Sequence, residues 1–385
     1  MMKVVIAIDS LKGSLNSIDA GNAIVKGIKN VLEDADMIVR PLADGGEGTV
    51  EALTQGMNGR LVHAAVTGPL GERVDCIYGI VEESHTAIIE MSGAAGITLI
   101  EEENRNPLYT TTYGVGELII DAIRNGCRHF IVGIGGSATN DGGIGMLQAL
   151  GYEVLNKNGR QVPFGARGLE EIEEIKEEGV VRELKDCSFR IACDVTNPLC
   201  GKEGSSAVFG PQKGATPHMI EQMDQWLSNY ASLVKRKYPA ANADEEGAGA
   251  AGGLGFAFST FTNAVLESGI KIVLEETELE KYIRDADVVI TGEGRLDAQT
   301  VMGKAPIGVA GIAQKYGKLV IAFSGAVSET AAVCNSHGID AFFPIIREAT
   351  SLQEAMDSVK TEKNLSAAVE QVFRLLVNAK KIVTE

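Results

Sequence analysis

A single tryptophan and an aromatic content of 5% in 385 residues leave few platforms on which nucleic-acid bases stack. Cations are also in the minority: 35 Lys and Arg against 52 Asp and Glu give a formal net charge of -17. That balance excludes a general phosphate-backbone binder, whose affinity comes from Lys and Arg. An anionic ligand must be met locally, by backbone N–H groups, a metal ion or a few placed cations. The six cysteines (Cys76, Cys127, Cys187, Cys193, Cys200 and Cys334) form no C-x-x-C pair and have no histidine cluster beside them, so neither a zinc site nor a disulfide framework is signalled. No apolar run approaches the ~20 residues of a membrane-spanning helix. The opening apolar stretch stops at Asp9, too early for a signal peptide. The expectation is a soluble, cytoplasmic protein with no membrane or nucleic-acid partner.

Two phosphate fingerprints are missing as well. There is no G-x-x-x-x-G-K-[ST], because Gly303-Lys304 is followed by Ala305 and lacks the upstream glycine spacing. No G-x-G-x-x-G follows the first apolar run; Tyr113–Glu117 carries only part of it, and the glycines of Gly249–Gly255 read equally as close helix packing. A P-loop enzyme is excluded and a dinucleotide-linked dehydrogenase disfavoured.

What is present is ordinary globular composition, 45% hydrophobic and 23% charged, at a length that suits two domains. Lys3–Ile8 is a buried-strand run, followed by a helix with Ser17 as cap and Ala20, Ile24, Ile28 and Val31 on one face. A second strand, Met37–Arg40, completes a β-α-β-α start. The C-terminal part repeats this grammar with strands at Val288–Thr291, Val320–Phe323 and Phe342–Ile345. The middle differs: Val74–Val81 and Thr86–Met91 predict a hairpin, Thr216 and Pro217 start a helix with Met219, Met223, Trp226, Tyr230 and Leu233 on its core face, and the acidic run Glu170–Glu178 reads as solvated helix or loop. The fold class expected is therefore α/β: a discontinuous Rossmann-like (flavodoxin-like) domain of residues 1–67 and 287–385, with a second α/β domain, residues 68–286, inserted. The active site is expected in the cleft between them.

In open parallel sheets, ligands bind beyond the carboxyl ends of the strands, and five such segments carry chemistry. Ile131–Gly143 runs from a strand into Gly135-Gly136-Ser137 and then a helix, which is either a phosphate loop or a tight turn. Asp44-Gly45-Gly46-Glu47-Gly48-Thr49 sets two carboxylates among glycines, fit for a Mg²⁺–phosphate complex, for a hydrogen bond to a substrate hydroxyl or for turn chemistry alone. Asp194 ends a strand in Ile191–Pro198, as a general base, a metal ligand or a turn residue. Gly292–Asp297 alternates Glu293, Arg295 and Asp297 between glycines, suited to metal and anion or to a surface ion pair. Lys12, beside Gly13 and Ser14, can reach a phosphate or carboxylate.

At these residues the chain resembles the type-1 glycerate kinase family. The resemblance is carried by DSLKGS (9–14), PLADGGEGT (41–49), TGPLG (67–71), NPLYTTTYGVGEL (106–118), GIGGSATNDGG (133–143), CDVTNPLCG (193–201), VFGPQKGAT (208–216), GAGAAGGLG (247–255) and TGEGRLD (291–297). It implies transfer of the ATP γ-phosphoryl group, with Mg²⁺, to a hydroxyl of D-glycerate; the 2-hydroxyl is the preferred acceptor, and the sequence leaves the 3-hydroxyl open. It also implies catalytic roles for Asp194 (base) and Lys12. Ser14, Gly135, Gly136, Ser137, Asn140, Asn197 and Arg295 would bind nucleotide or substrate, and Asp44, Glu47 and Glu293 would hold the metal or its water shell. The alternatives are a kinase of another small hydroxy acid, an NAD-linked hydroxy-acid dehydrogenase and a two-domain binding protein without catalysis.

Overall fold

The computed structural model describes residues 1–43, 45–46 and 48–383. Its strands are, in chain order, β1 (Lys3–Ile6), β2 (Asp36–Val39), β3 (Arg60–Thr67), β4 (Arg73–Val81), β5 (Thr86–Glu90) and β6 (His129–Gly133). They continue with β7 (Glu153–Leu155), β8 (Glu174–Lys176), β9 (Ser188–Ala192), β10 (Ala264–Glu267), β11 (Val288–Leu296), β12 (Leu319–Val327) and β13 (Ala341–Pro344). The chain divides into two compact units, one of Met1–Asp44, Gln55–Met57 and Ile270–Glu385, the other of Gly45–Thr54 and Asn58–Gly269. Among the described residues no helix is long and apolar enough to cross a membrane.

The first unit is built on a five-stranded sheet in the order β2-β1-β11-β12-β13, parallel at every pairing. This is the flavodoxin-like order, and it reverses direction between β1 and β11. Val4, Ile6, Val288, Ile290, Ile321 and Phe323 share one core with the helices Ser17–Lys29 and Ser358–Val383. Val5, Val289 and Val320, of opposite parity along the same strands, are buried too, so both faces are covered and the strands read as continuous apolar runs. The first helix starts one residue earlier than expected. Asn16, not Ser17, is the cap, its Oδ1 accepting from the Asp19 N–H at 2.7 Å.

The second unit holds a six-stranded mixed sheet, β10-β9-β6-β5-β4-β3, and the small hairpin β7-β8. β5, β6, β9 and β10 run parallel, so the segments after β6, β9 and β10 leave the same edge. The predicted β4–β5 hairpin is present. β3, expected in the interrupted domain, instead pairs antiparallel with β4 over its whole length, from Arg60↔Ile80 to Thr67↔Arg73. The TGPLG turn closes that hairpin through a Gly68 N–H bond to the Glu72 carbonyl at 2.6 Å. Residues 270–286, expected in the inserted domain, group with the first unit. The acidic run is not all helix or loop, because Glu174–Lys176 forms β8 against β7. The helix Pro217–Lys237 starts at Thr216 as expected, but its fully buried stripe is Met223, Leu227, Tyr230 and Val234, with Met219, Trp226 and Leu233 at its margin.

Candidate active site

In the first unit the candidate residues cluster where the sheet order reverses. The Asp9 N–H donates to the Gly292 carbonyl at 3.0 Å. A β-carbon on Gly294 would come 3.2 Å from the Lys12 backbone nitrogen, so the ends of β1 and β11 touch. The segment Gly292–Leu296, expected as a loop, continues β11: Glu293 pairs in register with Ser324 and Arg295 with Ala326. The Ser324 hydroxyl, with one proton to share, lies 2.8 Å from both the Glu293 and the Ala326 carbonyl oxygens.

Lys12 projects from the exposed tip of a turn closed by Leu11 and Leu15. The Ser14 hydroxyl is spent on that turn, donating to the Leu11 carbonyl at 2.7 Å. Glu293 is buried. Its Oε1 accepts from Thr300 Oγ1 at 2.7 Å and its Oε2 lies 3.4 Å from Lys304 Nζ. Burial pushes its pKa above the ordinary carboxylate value, while the Thr300 and Lys304 contacts pull it back. Arg295 is exposed, 3.4 Å from Asp297, and an exposed pair of that kind contributes only ~0–1 kcal/mol. An incoming anion can therefore compete for the guanidinium. Lys304 is a residue that sequence reasoning missed. Judged only as a failed P-loop lysine, it reaches Glu293 from the residue preceding the helix Ala305–Lys315.

In the second unit the segment after β6 is held on several sides. The Ile97 N–H donates to the Gly136 carbonyl at 2.8 Å and the Ala138 N–H to the Ala95 carbonyl at 2.9 Å. Thr110 Oγ1 donates to the Ala138 carbonyl at 2.9 Å. Gly136 has φ +72°, a conformation that costs glycine nothing and disfavours any β-carbon. Among the described residues the N–H groups of Gly135, Gly136 and Ser137 meet no acceptor, and both glycines are exposed. Exposed consecutive N–H donors of this kind bind anions.

Behind this segment lies Lys213, 2% exposed, whose Nζ donates to Ser137 Oγ and to the Thr139 carbonyl, each at 2.7 Å. Burial pulls its pKa down to about 7, and Asp141 draws it back up. Asp141 is itself buried and accepts from Thr112 N–H (2.8 Å), Thr112 Oγ1 (2.9 Å), Gly143 N–H (3.1 Å) and Gly145 N–H (3.3 Å). Desolvation outweighs these bonds and raises its pKa.

Asp194 follows β9, exposed, with Oδ1 accepting from the Gly269 N–H at 3.0 Å. Gly133 and Ala192 are register partners, and the segment at Gly45 lies against both: a β-carbon on Gly133 would sit 2.4 Å from the Gly45 carbonyl, and one on Gly45 would sit 2.7 Å from Ala192 Cβ. The structure thus gathers Gly135-Gly136-Ser137, Asp194 and Gly45-Gly46 over the ends of adjacent strands. Asp44 and Glu47, the other expected metal residues, lie outside the described residues.

Two expected ligands are engaged by the protein itself. Asn140 is fully buried; its Nδ2 donates to Ser206 Oγ at 2.8 Å and its Oδ1 accepts from Ser205 Oγ at 3.0 Å. A carboxamide committed on both ends organises the helix ends around it and has nothing to offer a ligand. Asn197 donates to the Glu203 carbonyl at 2.8 Å, which shapes its own loop.

Flavodoxin-like topology with polar, glycine-rich strand ends defines a parallel-sheet α/β protein whose strand ends suit a small anionic ligand without a P-loop. The sequence profile of the glycerate kinase family matches residues 4–377. The chain is 48% identical over 375 residues to a glycerate kinase of Haemophilus influenzae, covering 97% of this chain and 99% of that one. It is 47% identical over 373 residues to a glycerate 2-kinase of Escherichia coli K12, covering 96% and 98%. A crystal structure from Salmonella typhimurium LT2, assigned as a glycerate kinase 2, superposes with a TM-score of 0.90 at 46% identity, covering 99% of this chain and all of that one. The chain belongs to the glycerate kinase family and is an enzyme of the kinase class. That membership sets aside the dehydrogenase and non-catalytic readings.

Proposed function

We propose that this kinase transfers the γ-phosphoryl group of ATP to a hydroxyl of D-glycerate, the 2-hydroxyl in preference to the 3-hydroxyl. The observation that carries the choice of hydroxyl is the near full-length similarity, 47% identity, to a protein named glycerate 2-kinase. Phosphoryl transfer asks a protein mainly for positioning and for neutralisation of charge, and the candidate residues suit those tasks. Lys12 and Arg295, both exposed cations, attract the phosphates or the glycerate carboxylate. Asp194 accepts the proton of the attacking hydroxyl: its carboxylate is exposed, and the Gly269 N–H holds Oδ1 in place. The Gly135-Gly136-Ser137 segment receives an anionic group of one substrate.

Mg²⁺ bound with a nucleotide needs only one or two carboxylates besides phosphate and water oxygens. Glu293 fits a contact with that water shell better than direct coordination, because Lys304 already offsets its charge and Thr300 occupies one oxygen. Asp44 and Glu47 complete the proposed set. When bound, the ion neutralises charge on the phosphates. Phosphorus NMR of a reaction containing D-glycerate, ATP and Mg²⁺ tests the proposal. The expected product is 2-phosphoglycerate; a 3-phosphoglycerate signal overturns the choice of hydroxyl, and no phosphoglycerate at all overturns the reaction.

A further inference from the structure

Lys213 is the most deeply buried cation near any candidate residue, and no role in the proposed reaction accounts for it. At 2% exposure it meets no ligand directly. A fold that needed only volume here would be served by a methionine, since exchanging a buried charge for an apolar side chain of similar size is often neutral or favourable. The ammonium instead spends two of its protons on one short segment, on Ser137 Oγ and the Thr139 carbonyl.

The direction of these bonds has a chemical consequence. Lys213 carries its charge below about pH 7, and there a lysine ammonium has three donors and no acceptor, whereas a serine hydroxyl has one proton and two lone pairs. Once Lys213 donates to Ser137 Oγ, the serine proton has to point elsewhere. Beside it lie the N–H groups of Gly135, Gly136 and Ser137, which meet no acceptor among the described residues. We propose that Lys213 is a positioning residue: by donating to Ser137 it turns the serine proton outward, so that this proton and the neighbouring N–H groups form a donor-only face for an anionic oxygen of a substrate. The inference rests on the reading of Gly135-Gly136-Ser137 as substrate-binding. The anionic oxygen belongs to the carboxylate of the acid or to a phosphoryl group of the nucleotide, two sources with the same hydrogen-bonding chemistry.

Steady-state kinetics at pH 6, where Lys213 is charged, of Lys213→Met, Lys213→Gln, Ser137→Ala and the Lys213→Met/Ser137→Ala double variant, with D-glycerate and ATP varied separately and folding checked by circular dichroism, tests this. Lys213→Met is expected to raise one KM by about tenfold, the scale of one lost charge-assisted hydrogen bond, with kcat little changed. The KM for glycerate rises if the face takes a carboxylate, and that for ATP if it takes a phosphoryl oxygen. Ser137→Ala raises the same KM, and the double variant is no worse than the worse single, because both changes remove the same outward proton. Lys213→Gln, which keeps an N–H donor, recovers part of the loss. If Ser137→Ala leaves both KM values unchanged, the reading of the segment itself fails. If Ser137→Ala raises a KM and Lys213→Met does not, that reading stands and the role of Lys213 falls. A parallel rise in both KM values with loss of kcat, or failure of both Lys213 variants to fold, assigns the lysine to the fold alone and overturns the proposal.

Discussion

At the scale of single residues, the groups that sequence reasoning found are those whose chemistry is announced by their neighbours in the chain. Asp194 follows an apolar strand run and precedes Val195-Thr196-Asn197-Pro198; Ser137 follows two glycines. Lys213 was not legible as part of this region, because it lies 76 residues from Ser137 in sequence and a lysine in a polar loop reads as solvated. Asn140 fails in the opposite direction: it stands within a candidate phosphate loop, yet Ser205 and Ser206 engage its amide from a distant segment. For Asp194, replacement by Asn keeps the shape and the bond from Gly269 but removes the base. Asp194→Asn is expected to lower kcat by about 10²–10⁴-fold while both KM values stay near those of the parent enzyme. Steady-state kinetics checks this, and near-normal turnover rules Asp194 out as the base.

At the scale of elements, period and capping located most helices and strands, with errors where a partner decided the outcome. β11 and β12 run beyond their predicted ends because each supplies the other's ladder, with Glu293 opposite Ser324 and Arg295 opposite Ala326. Glu293 and Arg295 therefore stand on a paired strand instead of a free loop, which gives them a firmer platform for binding. The contact between the helices Ser17–Lys29 and Ser358–Val383 is equally a matter of partners. A β-carbon on Gly27 would come 2.4 Å from the Ser366 carbonyl oxygen and 3.0 Å from Val369 Cβ. An alanine would gain up to ~1 kcal/mol of helix propensity over glycine, but overpacking against backbone costs about 1–3 kcal/mol. The clash wins on these magnitudes. Gly27→Ala is expected to destabilise the protein by up to about 2 kcal/mol in urea unfolding, and a variant more stable than the parent contradicts the close helix contact.

At the scale of the whole molecule, stability must carry Lys213 as a cost. Its pKa falls from the ordinary 10.5 to about 7 in the folded protein, with Asp141 the charged group acting on it and Tyr230 also facing Asp141. Between those two values the unfolded chain holds a proton that the folded protein lacks, so this group's contribution to unfolding free energy rises with pH across that window. Below about pH 7 the penalty is present in full, and above about 10.5 it is gone. The gap in stability between the parent and Lys213→Met should therefore shift in the parent's favour as pH rises from 7 towards 10. Urea unfolding across that range measures it, and a gap independent of pH means that Lys213 titrates normally.

Legible in the chain alone are the α/β class, the parallel grammar of the first and last segments, and the strand ends that bear glycines, hydroxyls and carboxylates. These are local properties, written in periodicity and in the conformational freedom of a few residue types. Folding adds that β3 pairs with β4, that the five parallel strands take the flavodoxin-like order, and that Lys213 lies beneath Ser137 while Asn140 faces the core. Burial and pairing between residues far apart in the chain set each of these outcomes, and no window of sequence contains them.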